Sequence, residues 1–324
     1  MLKNIKNIFA LSIAFIFMTM LFTGCGENPQ AEREQFVHIA TGNTSGTYYP
    51  IGGAISEILN ADIAKMHSSV QTTSGSVSNL KLLQEGTVEL AIVQNDIAHY
   101  ALNGTEMFKD ENKHKYENLR GIAALYPETC QIVVLESSGI NSIADLRGKK
   151  VAVGAEGSGV EINARQILSA YDITYDSIDE QFLSFSAASK ALNEGTIDAA
   201  FLTAGTPTVA VQDVASQKKI KLLSIDDTHI ATLTSKYPFY TKTTLAKETY
   251  AGLDNDVQTV SVMALLVCND KVNDDLGYQI TKTLFSHLDT LKEAHSAISH
   301  LDKSQVNEGM TLEVNGGAQK FFKE

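Results

Sequence analysis

The chain has 324 residues, 44% of them apolar, and 26 Lys and Arg against 38 Asp and Glu, a formal charge of −12. An acid excess spread along the whole sequence excludes nucleic acid and electrostatic attraction to anionic lipid as partners. Beyond the N-terminus there is no long apolar run, so about 300 residues are read as a soluble protein of two domains of about 150 each.

Residues 1–24 read as a secretory address. Lys3 and Lys6 precede a largely apolar run of 15 residues from Ile8 to Phe22, short of the ~20 that span a bilayer. Leu21-Phe22-Thr23-Gly24-Cys25 resembles a bacterial lipobox, with Cys25 as the lipidated residue and Phe22 in place of the usual Leu. Residues 25–35 form a polar tether. Removal of Lys3 and Lys6 takes the charge from −12 to −14. The resulting protein is expected to be extracytoplasmic and lipid-anchored to the bacterial membrane.

Phe36 to Ala40 reads as a strand that runs through a Gly/Ser/Thr turn into a helix opening near Pro50. Ile51, Ile55, Ile58, Leu59 and Ile63 recur at helical spacing and pack this helix on a sheet. A second strand, Ser69 to Thr73, leads through Thr73-Ser74-Gly75-Ser76 to a helix from Val77 to Leu83. Leu90 to Val93 is a buried strand ending in Gln94, with Asn95 and Asp96 read as helix caps. Asn103 to Glu117 is a surface loop or frayed helix. Ile122–Leu125 and Gln131–Leu135 are expected as two strands, separated by Tyr126-Pro127-Glu128-Thr129.

The design then repeats. Ser142 to Gly148 is a short capped helix, and Lys150 to Val153 is a strand followed by a glycine-rich turn, Gly154 to Gly159. The helix beyond it carries Ile162, Ile167 and Leu168; Arg165 on this helix suits surface or interlobe pairing, with a carboxylate clamp as the other reading. A helix from Ser186 to Leu192 leads to a strand from Ala199 to Leu202, then Thr203 to Pro207 and another helix. Leu83 to Ala91 matches Leu192 to Ala200 in pattern: each is a helix end, a glycine and a strand. Two similar α/β lobes around a shared cleft are therefore expected, with 36–127 plus 224–324 as lobe 1 and 128–223 as lobe 2. In the returning segment, Thr259 to Val267 is a strand, Leu276 to Leu291 a helix, and the polar tail from Lys303 a surface strap. Cys130 and Cys268 are read as buried free thiols, with a disulfide as the alternative.

Helix N-termini that follow hydroxyl-rich turns are anion sites. Candidate ligand-binding residues are Thr44, Ser45, Gly46, Thr47 and Tyr48 in the first turn, and Ser74, Gly75, Ser76 and Val77 in the second. Ser158, Gly159 and Val160 follow in the repeat, with Gln94, Thr203 and Gly205 at equivalent strand ends. Tyr48 or Tyr49 would cover the ligand's carbon skeleton. Each has a bland rival: the glycines as plain turns, the tyrosines as packing. An enzyme is disfavoured. The loop after Gly42 lacks the P-loop lysine, Gly154 to Gly159 breaks the dinucleotide order, and no G-x-S-x-G surrounds Ser158. His295 and His300 have no zinc-site spacing. No catalytic residue, cofactor or metal is assigned.

Four segments in order, ATGNTSGTYYPIGGA, SGSVSNLKLLQEGTVELAIVQND, LRGKKVAVGAEGSGVEINARQIL and LNEGTIDAAFLTAGTP, resemble the solute-binding component of TRAP (tripartite ATP-independent periplasmic) transporters. The match is to the TAXI (TRAP-associated extracytoplasmic immunogenic) family, over roughly residues 37–291. The resemblance implies a two-lobed type II periplasmic-binding-protein fold that closes on a small organic acid such as glutamate, glutamine or 2-oxoglutarate. It also implies delivery to a membrane permease, without catalysis; a ligand sensor that presents its closed form to a membrane receptor is the alternative. Asn43-Thr44 departs from the Gly-richer turn of the family. A monomer is expected.

Overall fold

The computed structural model describes residues 34–110 and 116–324. The signal-like run, the lipobox-like residues with Cys25, and the tether up to residue 33 lie outside them. Strand β1 (Gln35–Ala40) turns Val37 and Ile39 inward. Helix α1 (Tyr48–Asp62) covers them with Ile51, Ile55, Ile58 and Leu59. It begins two residues before Pro50, which therefore sits in the first turn, where no backbone N–H has an intrahelical partner to lose. After β2 (Met66–Gln71) and α2 (Ser76–Gln84) comes β3 (Leu90–Gln94), buried at every position, and then α3 (Asn95–Asn103).

The next element corrects an expectation. Arg120 to Leu135 is one continuous strand, β4, running straight through Tyr126 to Thr129. Pro127 pairs with Met263, and the strand on β4's other side joins only from Thr129 onward. A residue without an N–H fits that unpaired edge. Beyond β4 lie β5 (Lys150–Ala152), α4 (Gly159–Ala170), β6 (Asp179–Gln181), α5 (Phe185–Glu194), β7 (Ala199–Ala204), α6 (Val209–Gln217) and β8 (Ile220–Leu222). They are followed by α7 (Asp227–Lys236), β9 (Thr241–Leu245), β10 (Val257–Cys268), α8 (Asp274–Ser286), α9 (Leu288–Ala294) and α10 (Gly316–Phe322).

The strands join in the order β2-β1-β3-β10-β4-β7-β5-β6, with β8 also on β4 and β9 also on β10. The two long antiparallel strands β4 and β10 form the spine. One end of β10 is flanked by β3, and the other end of β4 by β7. Each half is covered on both faces, which gives two apolar clusters per half. The doubled pattern read from sequence is visible here. Gly86 after α2 and Gly195 after α5 both adopt φ of 69°, left-handed turns that feed β3 and β7.

Three further expectations change. Ile225, Ile230, Leu233 and Tyr240 pack with Ile132 and Ile167, and Leu245 and Tyr250 pack with Val133 and Ala200. Residues 225–260 thus belong to the second half, and the chain recrosses within β10, not at 224. An amphipathic pattern fixes an element's buried face but not which half of a sheet receives it. The helix expected from Leu276 to Leu291 is broken at His287 into α8 and α9. The tail is tied in: Gly121 N–H donates to Glu313 O, Ala124 N–H to Val306 O, and Val306, Leu312, Ala318 and Phe321 are buried. Its apolar residues are too widely spaced to register as a periodic element. Cys130 and Cys268 are buried free thiols in separate clusters.

Candidate functional site

The carboxyl ends of β3 and β7 and the turns before the helices converge on a cleft of about 720 Å3, counted to its open mouth and including open solvent. Four helices begin at its wall. Thr47 precedes α1, Gly75 precedes α2, Ser158 precedes α4 and Ser184 precedes α5, and all four residues line the cleft. The lining contains no Lys, Arg or His. Any anion held here relies on helix-end N–H groups and their dipoles. Tyr48 and Phe185 supply aromatic walls.

Of the expected residues, Gly46, Thr47, Tyr48, Ser74, Gly75, Ser76, Gln94, Ser158, Gly159, Val160 and Thr203 line the cleft. Thr44, Ser45, Val77 and Gly205 lie outside the lining, each for a local reason. Thr44 faces solvent. Ser45 is held by Asn43, whose Oδ1 accepts its N–H, and its carbonyl accepts from Ala210 N–H. Val77 points into the core beside Leu80. Gly205 serves through its carbonyl, which accepts from the hydroxyls of Thr47 and Thr208. Tyr49 is 36% exposed, so Tyr48 is the aromatic at the cleft. Arg165 pairs with Glu161 and Glu106 at 3.4 and 3.6 Å, as the pairing reading expects.

Several of the hydroxyls are committed to the scaffold. Ser158 Oγ donates to Ala155 O at 2.6 Å and accepts from Glu161 N–H. Thr73 Oγ1 lies 2.9 Å from Thr41 O and 2.6 Å from Asn79 Oδ1, and accepts from Gly75 N–H. Ser76 Oγ accepts from Gln94 N–H. Backbone N–H groups at the helix ends remain as donors for a ligand. Ser158→Ala is therefore expected to cost about 1 kcal/mol of stability through the lost cap, read in urea denaturation, while ligand affinity changes little.

The two halves are bridged directly around the cleft. Ser78 N–H and Oγ donate to Gly157 O, and Asn43 Nδ2 donates to Ser186 Oγ. Behind the cleft, Gln94 Nε2 donates to Asn163 Oδ1, and Asn163 Nδ2 donates to Asp96 and to the Tyr240 hydroxyl. Tyr240 in turn donates to Gln166, whose amide donates to the Tyr100 hydroxyl. Burial pushes the Asp96 carboxyl up to about 7, only partly offset by its hydrogen bonds from Ile97 N–H and Asn163.

Asn43, Thr73, Glu128, Ser184 and Phe185 also line the cleft and were missed. For Ser184 a signal existed, since a serine before a helix is a cap; the helix opens at Phe185. Glu128 left none, because it lies in the segment expected to be a connector. It is 1% exposed, and burial pushes its carboxyl up to about 8, with Tyr48 and Gln94 lowering it slightly and Asp96 raising it. Burial and this carboxyl also hold the Tyr48 phenol well above its ordinary value. Among the described residues no group of three or more His, Cys, Asp or Glu is placed to hold a metal ion.

A mixed α/β sheet in two covered halves, with a cleft ringed by helix N-termini at their junction, is a type II periplasmic-binding-protein-like fold. The NMT1-like family model matches residues 39–324, and the chain belongs to that family. Among solved structures, it is similar to the periplasmic aliphatic sulphonate binding protein SsuA from Escherichia coli, at 15% identity and a TM-score of 0.51, covering 89% of this chain and 79% of that one. A protein from Bordetella bronchiseptica RB50 matches at 17% identity and a TM-score of 0.50, covering 89% and 88%. An ancestral arginine-binding protein bound to arginine matches at 17% identity and a TM-score of 0.49, covering 82% and 98%. At these identities the first two likenesses speak to fold alone.

Proposed function

We propose that this chain is an extracytoplasmic solute-binding protein that takes up a small carboxylate between its two halves and delivers it to a membrane permease of the TRAP type. The observation that carries the reading is the convergence of four helix N-termini, two from each half, on one cleft. Backbone N–H groups at such ends hold carboxylates without a cationic side chain. Contacts to both halves make closure depend on the ligand, because a ligand shifts an equilibrium only by its differential affinity for the two forms. The four TAXI-like segments support the TRAP assignment, and the lipobox-like residues support an anchor at Cys25. A glutamate-like acid is the proposed ligand.

The test is calorimetric titration of the full chain, refolded in mild detergent to strip any carried solute, with L-glutamate, L-glutamine and 2-oxoglutarate. Saturable binding of one of them without turnover is the expected result. No binding by a correctly refolded sample would sink the carboxylate assignment.

A further inference from the structure

Glu128 is set apart from the other buried acid near the cleft. Asp96 is structural by its contacts, accepting from Ile97 N–H at 2.8 Å and from Asn163 Nδ2 at 3.0 Å. Both carboxyl oxygens of Glu128 are buried with no hydrogen-bond partner. Tyr48 and Gln94 approach it, but neither makes a bond of proper geometry. A carboxyl without internal partners is costly to bury, and this one lies on the wall of the cleft.

A second unpartnered acceptor lies on the same cleft wall. Gln94 Oε1 is also buried and unpartnered. Its orientation is fixed through the amide chain: Asp96 takes one Asn163 N–H, which leaves Asn163 Oδ1 to accept from Gln94 Nε2 and turns Gln94 Oε1 away, over Gly159. The cleft therefore has donor-rich helix ends and two lining side chains with unpartnered acceptor oxygens.

We propose that Glu128 accepts the ammonium group of the bound solute, so that the solute is an amino acid and not a simple dicarboxylate or a sulfonate. This rests on the solute-binding reading above and narrows it. The solute's carboxylate faces the helix N-termini, and its ammonium faces Glu128. The groups around Glu128 do not supply a competing cation: Tyr48 comes from α1, Tyr126 and Cys130 from its own strand, Gln94 from β3 and Asp96 from α3. With its carboxyl at about 8, Glu128 is mostly protonated at pH 7 before binding. Arrival of an ammonium ionises it, and the proton leaves to buffer.

The test uses L-glutamate and glutarate, which differ only by the α-ammonium, on the refolded full chain and on Glu128→Gln. L-Glutamate is expected to bind about 10- to 100-fold more tightly than glutarate, the range of one charged hydrogen bond. Titration at pH 7 in buffers of different ionisation enthalpy should show release of up to one proton with L-glutamate and none with glutarate. Affinity for L-glutamate should rise from pH 6 to 8.5. Glu128→Gln should lose both the preference and the proton release. Equal binding of the pair, or affinity that falls as pH rises, would overturn the assignment of Glu128 and leave the carboxylate reading standing. Failure of L-glutamate, glutarate and 2-oxoglutarate alike to bind would overturn both. The proton count on the unmodified chain decides the matter even if the variant fails to fold.

Discussion

Adding one methyl group at Gly159 is expected to cost about 2–4 kcal/mol of stability, from overpacking plus a broken buried amide contact, and to weaken ligand binding more than tenfold. A Cβ there would sit 1.6 Å from Gln94 Oε1, 2.6 Å from Gln94 Cδ and 2.9 Å from Ile97 Cγ1. Gln94 is the end of a side chain, yet it is not free to yield, because Asn163 pins its amide 3.0 Å away. Moving it breaks that bond and pushes the amide into the cleft, while Ile97 on α3 blocks the other direction. Gly159→Ala thus strikes the α4 N-terminus, the Gln94 amide and the bridge between halves together. Gly53 is the control. It lies inside α1 with nothing within 4 Å of an added Cβ, so Gly53→Ala should stabilise by about 0.5–1 kcal/mol through helix propensity alone. Urea denaturation of both variants, with titration of L-glutamate, checks the pair. Equal effects of the two substitutions would mean that the Gly159 approach is not the constraint described.

The opening strand, turn and helix were legible because two periods meet there: Val37 and Ile39 alternate, and Ile51, Ile55, Ile58 and Leu59 recur at helical spacing. The internal repeat was legible because Gly86 and Gly195 mark the same turn in each half. From such signals the α/β class and most of the cleft wall follow. Other features had no local signal. Pro127 looks like a strand breaker until the neighbouring strand is known to begin at Thr129, two residues on. No element is assigned from sequence between 225 and 245, where a helix and a strand form, and the paths of β9 and β10 decide which half they join. The tail's Val306, Leu312, Ala318 and Phe321 are isolated apolar residues whose burial depends on partners far away in sequence.

The site shows the same division. Helix N-termini are local features, and a hydroxyl-rich turn before an apolar period points to them. Two of the hydroxyls read as ligand donors also serve the scaffold, Ser158 as a cap and Ser76 as acceptor from Gln94 N–H. Glu128 is a product of topology alone. It reaches the cleft because β4 continues unbroken past Pro127 and pairs Glu128 with Val262 of β10, which no pattern within Tyr126 to Thr129 announces.

The share of ligand-free stability set by the buried carboxyls Glu128 and Asp96 is expected to fall as pH rises from about 4.5 to about 8, and Glu128→Gln should remove roughly half of that share. Burial raises Glu128 to about 8 and Asp96 to about 7, against about 4 for carboxyls in the unfolded chain. Between those values the folded state holds protons that the unfolded state has released, so raising pH favours unfolding. The contribution is fully present below the unfolded values and gone above the folded ones. At one pKa unit per about 1.4 kcal/mol, the upper bound is on the order of 4 kcal/mol for Asp96 and 5 kcal/mol for Glu128. Asp96, hydrogen-bonded in place, keeps its share in the variant. Glu128→Gln should therefore match the parent near pH 4.5 and exceed it by a few kcal/mol at pH 8.5, read by urea denaturation without ligand. Saturating L-glutamate should reverse the order at pH 8.5, because the ionised carboxylate then has its partner and the amide does not. An acid that weakens the empty fold and strengthens the occupied one is favoured by function and not by stability. Parallel pH profiles for parent and variant would show that Glu128 does not titrate in this range, and the partner assigned to it would fall with that result.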